Sequence, residues 1–187
     1  MAKAVFLDKD GTLIPDLPYN VKPELITMQA DTVEGLKRLQ NEGYLLIIIS
    51  NQAGVALGKF TEGKLPAVEQ RLKYLMAIEG LALSGFYYCP HHPEGTVIGY
   101  NNDCDCRKPM PGMLLQAAAD HNIELAESWM IGDILNDVEA GNRAGCKTVL
   151  INNGNETEWL NGPFRVPTYT CTSINHAAED ILTTQLA

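Results

Sequence analysis

Val5-Phe6-Leu7-Asp8-Lys9-Asp10-Gly11-Thr12 is a short apolar run that ends in two carboxylates, a glycine and a hydroxyl. On a regular strand, residues i and i+2 point to the same side. Two carboxylates crowded there repel unless a cation or a catalytic need holds them together. Acidic side chains at the carboxyl end of a sheet strand are a common way to hold a hard metal near a phosphate. Asp-Gly also favours surface turns, so the octet by itself fits a turn as well as a metal-bearing site.

Working outward, apolar runs alternate with amphipathic stretches. Residues 4–7, 45–49, 85–88, 129–131 and 148–151 read as short buried strands, and 169–171 as a last edge strand. Asp31 or Thr32 can cap a helix through Glu42, with Val33, Leu36 and Leu39 on one face and Gly43 stopping it. Thr61 can start a longer helix whose apolar side continues through Leu72, Leu75, Met76 and Leu83. Pro111 opens another through His121, Asp137 to Ala144 forms a short one, and Ser173 caps a C-terminal helix. Strand–helix alternation predicts an α/β doubly wound parallel sheet, which puts ligands at the carboxyl ends of its strands. The 187 residues suit a single domain, 1–187.

A hydrophobic content of 45% and a charged content of 20% are those of an ordinary globular enzyme. The net charge of −9 argues against a general nucleic-acid or anionic-membrane binder. The run before Asp8 is too short for a signal peptide, and no uncharged stretch approaches membrane-spanning length. A cytoplasmic protein is expected, and its five cysteines are then not disulfides.

Three further pieces fall at expected strand ends or helix starts. Ser50-Asn51-Gln52 offers a hydroxyl and amides for phosphate oxygens. Lys108 is a compact positive charge able to neutralise a phosphoryl group. Gly132-Asp133-Ile134-Leu135-Asn136-Asp137 brings a second acidic pair. Each is weak alone; a turn or a solvated lysine would look the same. A separate cluster, Cys89-Pro90-His91-His92 and Cys104-Asp105-Cys106, lies in a polar segment without apolar periodicity. Two Cys/His pairs across a short loop suit a tetrahedral zinc site with no open position, hence structural, with His91 or His92 as the nitrogen ligand.

Taken in order, Asp8-x-Asp10-Gly11-Thr12, Ser50, Lys108 and Gly132-Asp133-x-x-x-Asp137 resemble the four motifs of the haloacid dehalogenase superfamily of phosphatases, over nearly the whole chain. The resemblance implies a Rossmann-like sheet with no large cap. It implies that Asp8 is the nucleophile, that Asp10 protonates the leaving alkoxide and then deprotonates water, and that Ser50 and Lys108 stabilise phosphoryl oxygens. Mg²⁺ would be held by Asp8, the backbone carbonyl of Asp10, and Asp133, with Asp137 orienting from behind.

Within the superfamily, the paired Cys-Pro-His-His-Pro and Cys-Asp-Cys-Arg-Lys-Pro segments resemble the zinc-loop heptose bisphosphate phosphatases. That resemblance implies removal of the C7 phosphate of D-glycero-D-manno-heptose 1,7-bisphosphate in ADP- or GDP-heptose synthesis. It implies zinc on Cys89, His91, Cys104 and Cys106 within loop 89–106. It implies substrate contacts from Asp16, Leu17, Pro18, Tyr19, Asn51, Gln52 and Ala53, with Arg107 on the second phosphate. The expected partner is a small phosphorylated sugar, with neither nucleic acid nor membrane, and the expected form is a monomer. Ile134 and Leu57 depart from the pattern where lysine and arginine are common, and Lys59 lies near Leu57. The histidinol phosphatases, with a shorter zinc loop, and broad sugar-phosphate phosphatases are the rival enzymes. A phospho-receiver or a zinc-bearing binding module is the non-enzyme alternative. A receiver places its phosphorylated aspartate after a central strand instead of the first, and a dead module need not keep Asp8, Asp10, Lys108 and Asp133.

Overall fold

The computed structural model describes residues 1–184. Strand β1 is Lys3–Leu7, followed by α1 Val33–Asn41, β2 Tyr44–Asn51, α2 Leu65–Ile78 and β3 Leu83–Cys89. Then come α3 Gly112–His121, β4 Trp129–Gly132, α4 Leu135–Ala144, β5 Lys147–Ile151, β6 Tyr169–Cys171 and α5 Ile174–Thr184. Among the described residues the strands form one sheet in the order β3-β2-β1-β4-β5-β6, and every pairing is parallel.

The sheet is buried on both faces because its strands are apolar on both sides. Val5 and Leu7 of β1 join Leu46, Ile48, Trp129 and Ile131 in a core closed by α1, α2 and α5. Ala4 and Phe6 point the other way, with Ile47, Ile49 and Met130, against α3 and α4. The chain after β1 crosses to one face and the chain after β3 to the other. The crevice between the ends of β1 and β4 is therefore the topological switch point where such sheets bind ligands. The connection after β1 carries only a short 3₁₀ turn at Pro23–Leu25, and the connection after β2 only one at Glu62–Lys64. The described residues thus hold no large cap over the crevice, and no helix long and apolar enough to cross a membrane.

Local differences from the sequence reading have physical causes. Leu83, expected on the helical stripe, begins β3, since α2 ends at Ile78 and Gly80 turns the chain at φ +78°. Thr61 starts the 3₁₀ turn, and α2 itself begins at Leu65 with Pro66 in its first turn. Thr32 does not cap α1 with its side chain; Asn175 Oδ1 accepts the Gly35 N–H at 2.6 Å instead. Ser173 does cap α5, its Oγ accepting the His176 N–H at 3.2 Å.

Candidate active site

β1 stops at Leu7 and the chain turns sharply. The Gly11 N–H donates to the Ile14 carbonyl at 2.8 Å, and the Lys9 carbonyl accepts from Leu13 and Ile14, each at 3.0 Å. Gly11 sits at φ +83°, a conformation open to glycine. A Cβ there would lie 2.2 Å from Asp133 Oδ2, so the glycine also admits the carboxylate of the fourth motif. Asp8 and Asp10 consequently occupy different surroundings. Asp8 faces Lys108, whereas Asp10 accepts from Lys9 Nζ at 2.9 Å and from Gln52 Nε2 at 3.5 Å.

Lys108 is buried between two carboxylates, with Nζ 2.6 Å from Asp8 Oδ1 and 2.7 Å from Asp137 Oδ1, and it donates to the Ile49 carbonyl at 3.0 Å. Asn51 clamps its backbone: Asn51 Oδ1 accepts the Lys108 N–H at 3.0 Å, and Asn51 Nδ2 donates to the Lys108 carbonyl at 3.1 Å. Burial works against the Lys108 charge, but Asp137 and Asp8 outweigh it and hold the ammonium above its ordinary range. Asp137 Oδ2 accepts the backbone N–H groups of Asp133 and Ile134, each at 3.2 Å, at the first turn of α4. That approach needs Gly132, because a Cβ there would lie 2.2 Å from Asp137 Cβ.

Asp8, Asp133 and Asp137 bring carboxylate oxygens within 4.8 Å of one another. Burial, then Asp8 and Asp137, push Asp133 up to about 7. Burial, then Asp8, push Asp137 up to about 6. When all three are ionised, the carboxylates exceed the one ammonium by two negative charges; burial and this excess make Asp133 and Asp137 resist ionisation without a further cation. The donor set is all oxygen, so the residues fit a divalent hard cation.

These groups line a cavity of about 220 Å³, bounded by Asp8, Asp10, Asn51, Lys108, Asp133 and Ile134. A second cavity, of about 280 Å³, shares Asp10, Asp16 and Asn51 with it and continues to Pro18, Tyr19, Gln52 and Ala53. Leu17 lines neither, although Asp16, Pro18 and Tyr19 on either side of it line the second cavity. Ser50 also lines neither, and its buried Oγ accepts from Gln52 Nε2 at 2.7 Å. Arg107 stays on the polar loop, with its guanidinium 3.5 Å from the His91 carbonyl. Exposed Lys59 stands over the Tyr19 ring, 5.6 Å from its centroid, at the rim.

Cys89, His91, Cys104 and Cys106 converge. Their sulfurs are 2.7, 3.3 and 3.4 Å apart, and His91 Nδ1 is 3.6 Å from Cys89 Sγ and 3.4 Å from Cys106 Sγ. A tetrahedral zinc site with bonds of about 2.3 Å has sulfur–sulfur edges of about 3.8 Å, so the four donors fit the ion with a modest outward shift. His92 stands apart, its Nδ1 accepting the Glu94 N–H at 3.1 Å. The rest of the loop is tied down by Tyr100, which donates to Glu62 Oε2 at 2.5 Å, and by the Thr96 and Val97 N–H groups on the Ala56 carbonyl.

Two participants escaped the sequence reading. Lys9 is fully buried beside Asp10. Asn155 donates to Asp133 Oδ2 at 2.6 Å from the segment after β5. The signal for Asn155 was topological, since every strand of such a sheet delivers its carboxyl end to the same side.

The residues 105–177 match the HAD-hydrolase-like family model. D-glycero-beta-D-manno-heptose-1,7-bisphosphate 7-phosphatase of Pasteurella multocida is 44% identical over 82% of this chain and 84% of that protein. The chain belongs to the HAD-like phosphatases. The phosphatase of the same name from Escherichia coli K12 is 39% identical over 81% of this chain and 80% of that one. Among solved structures, the D,D-heptose 1,7-bisphosphate phosphatase from B. bronchiseptica, complexed with magnesium and phosphate, superposes with a TM-score of 0.82. It is 29% identical and covers 97% of this chain and 99% of that one. As a HAD-like phosphatase, this chain is a phosphoric monoester hydrolase.

Proposed function

We propose that this phosphatase removes the 7-phosphate of D-glycero-β-D-manno-heptose 1,7-bisphosphate through an aspartyl phosphate on Asp8. The observation that carries the reading is the 44% identity, across 82% of the chain, to a relative named for that reaction. Two joined cavities, one over the carboxylates and one beside it, support a substrate larger than its reacting phosphoryl group.

Asp8 attacks phosphorus and splits hydrolysis into two displacements. Lys108, 2.6 Å from Asp8, stays charged and offsets the negative charge spread over the phosphoryl oxygens. Ser50 Oγ accepts from Gln52, which leaves its own proton free for a phosphoryl oxygen. Asp10 is held above its ordinary range by burial, against the pull of Lys9, which suits the acid that protonates the leaving alkoxide. The deprotonated Asp10 then takes the proton of the water that attacks the acyl phosphate. Bound Mg²⁺ would supply charge neutralisation on Asp8, the Asp10 carbonyl and Asp133, while Asp137 holds Lys108 and the first turn of α4.

Asp16, Pro18, Tyr19, Asn51, Gln52 and Ala53 line the second cavity and are assigned to the sugar. Arg107 is assigned to the second phosphate, since Leu57 and Ile134 carry no charge. Leu17, which lines neither cavity, is left out. Zinc on Cys89, His91, Cys104 and Cys106 is structural, because four protein ligands leave no open position. The whole chain acts as one domain, as a cytoplasmic monomer.

A phosphate-release panel tests the reading. It compares both anomers of the heptose bisphosphate, histidinol phosphate and simple sugar phosphates. The β-bisphosphate should give the highest kcat/KM, with phosphate lost from C7. A preference for histidinol phosphate would overturn the substrate assignment.

A further inference from the structure

The segment after β5 is tied to the site at three points. Asn153 Nδ2 donates to the Gly11 carbonyl at 2.8 Å, and Asn155 Nδ2 donates to Asp133 Oδ2 at 2.6 Å. Glu156 Oε2 accepts the Leu135 N–H of α4 at 2.6 Å. The far end of the segment is fastened by Arg165, whose Nη1 lies 2.7 Å from Glu139 Oε2 and 3.0 Å from Asn136 Oδ1. Asn155 Nδ2 and Asp133 Oδ2 also crowd the space where a Gly11 side chain would begin, at 2.6 and 2.2 Å. The first motif, the fourth motif and this segment are thus packed as one unit.

We propose that Asn155 is a positioning residue: its amide holds Asp133 by one carboxylate oxygen and leaves the other to the divalent cation. The proposal rests on the metal-site reading above. Asp133 stands among like charges, Asp8 and Asp137, which repel it. A neutral donor fixes the carboxylate against that repulsion without cancelling the charge that attracts the cation. A lysine would cancel it, and a carboxylate, which only accepts, would add to the repulsion. Groups that orient metal-ligating carboxylates typically contribute about 10- to 100-fold in metal affinity or activity.

The test uses Mn²⁺ as a paramagnetic stand-in, with free ion counted by electron paramagnetic resonance on the full zinc-loaded chain. Asn155→Ala and the similarly branched but apolar Asn155→Leu should each bind Mn²⁺ about tenfold more weakly. Their turnover should return toward wild type at saturating Mg²⁺, with KM for the substrate unchanged. Wild-type Mn²⁺ affinity in both variants overturns the proposal, provided Asp133→Asn has lost binding. Undiminished binding by Asp133→Asn would instead overturn the metal-site reading beneath it.

Discussion

Lys108→Met removes the ammonium between Asp8 and Asp137 while keeping an unbranched chain of similar length. The lost contacts are ion pairs at 2.6 and 2.7 Å and a hydrogen bond to the Ile49 carbonyl at 3.0 Å, all in the interior. Removing one partner of a buried pair destabilises by about 3–5 kcal/mol, and the orphaned carbonyl adds about 1 kcal/mol. Two features limit the damage. Asn51 still clamps the backbone at position 108. Asp137, already pushed up to about 6 by burial and then by Asp8, can take a proton once Lys108 no longer opposes that rise. Holding a proton one pH unit above a group's pKa costs about 1.4 kcal/mol.

The expected deficit against wild type is therefore about 3 kcal/mol at pH 8 without added Mg²⁺. Its pH dependence follows from the raised carboxylate. The folded variant binds a proton that the unfolded chain, with ordinary carboxylates, does not bind until about pH 4. The stabilisation is greatest at low pH and is lost as pH rises through the folded pKa. The deficit should thus shrink steadily from pH 8 to pH 5.5. Urea unfolding followed by the fluorescence of buried Trp129 measures it. With an m-value of about 1–3 kcal/mol/M, the midpoint falls by roughly 1–3 M. Chelators are avoided because they would also strip the cysteine cluster. Turnover should fall at least about 100-fold. A wild-type midpoint at pH 8, or an equal deficit at both pH values, would refute the account of Lys108 as the internal counter-ion.

Asp8→Asn should fold normally and release no phosphate above background; normal turnover would rule out the aspartyl nucleophile. Wild-type protein should carry one equivalent of tightly bound zinc that Cys104→Ser loses, and elemental analysis that finds zinc-free wild type sinks the loop assignment. Gly11→Ala combines left-handed strain of about 1–2 kcal/mol with a Cβ 2.2 Å from Asp133 Oδ2. Its Mg²⁺ requirement in a phosphate-release titration should rise, and an unchanged requirement would separate Gly11 from the metal site.

The strand ends were legible because a doubly wound sheet writes its active site as short motifs at regular places in the chain. Asp8, Asn51, Lys108 and Asp133 follow from that order alone, and the fold brings them to one cavity. The division of labour between Asp8 and Asp10 comes from resemblance alone; the structure shows that the turn at Gly11 gives them different partners, Lys108 and Lys9. His91 against His92 was open on spacing and is distinguished here by position, since only His91 converges with the three thiols among the described residues. Leu17 shows the reverse: Asp16 and Pro18 line the second cavity, but Leu17 between them lines neither cavity.

The sequence by itself determined the fold class, and its strand-end motifs carried the resemblance that implied phosphatase chemistry, because hydrophobic alternation and short motifs are local properties of the chain. Only the tertiary structure decided how those groups are charged and held. The placement of Lys108 between two buried acids and the hold of Asn155 on Asp133 both join residues distant in sequence. Electrostatic and hydrogen-bond energies depend on separations of a few tenths of an ångström and on exclusion of water. Neither quantity exists until the chain has packed.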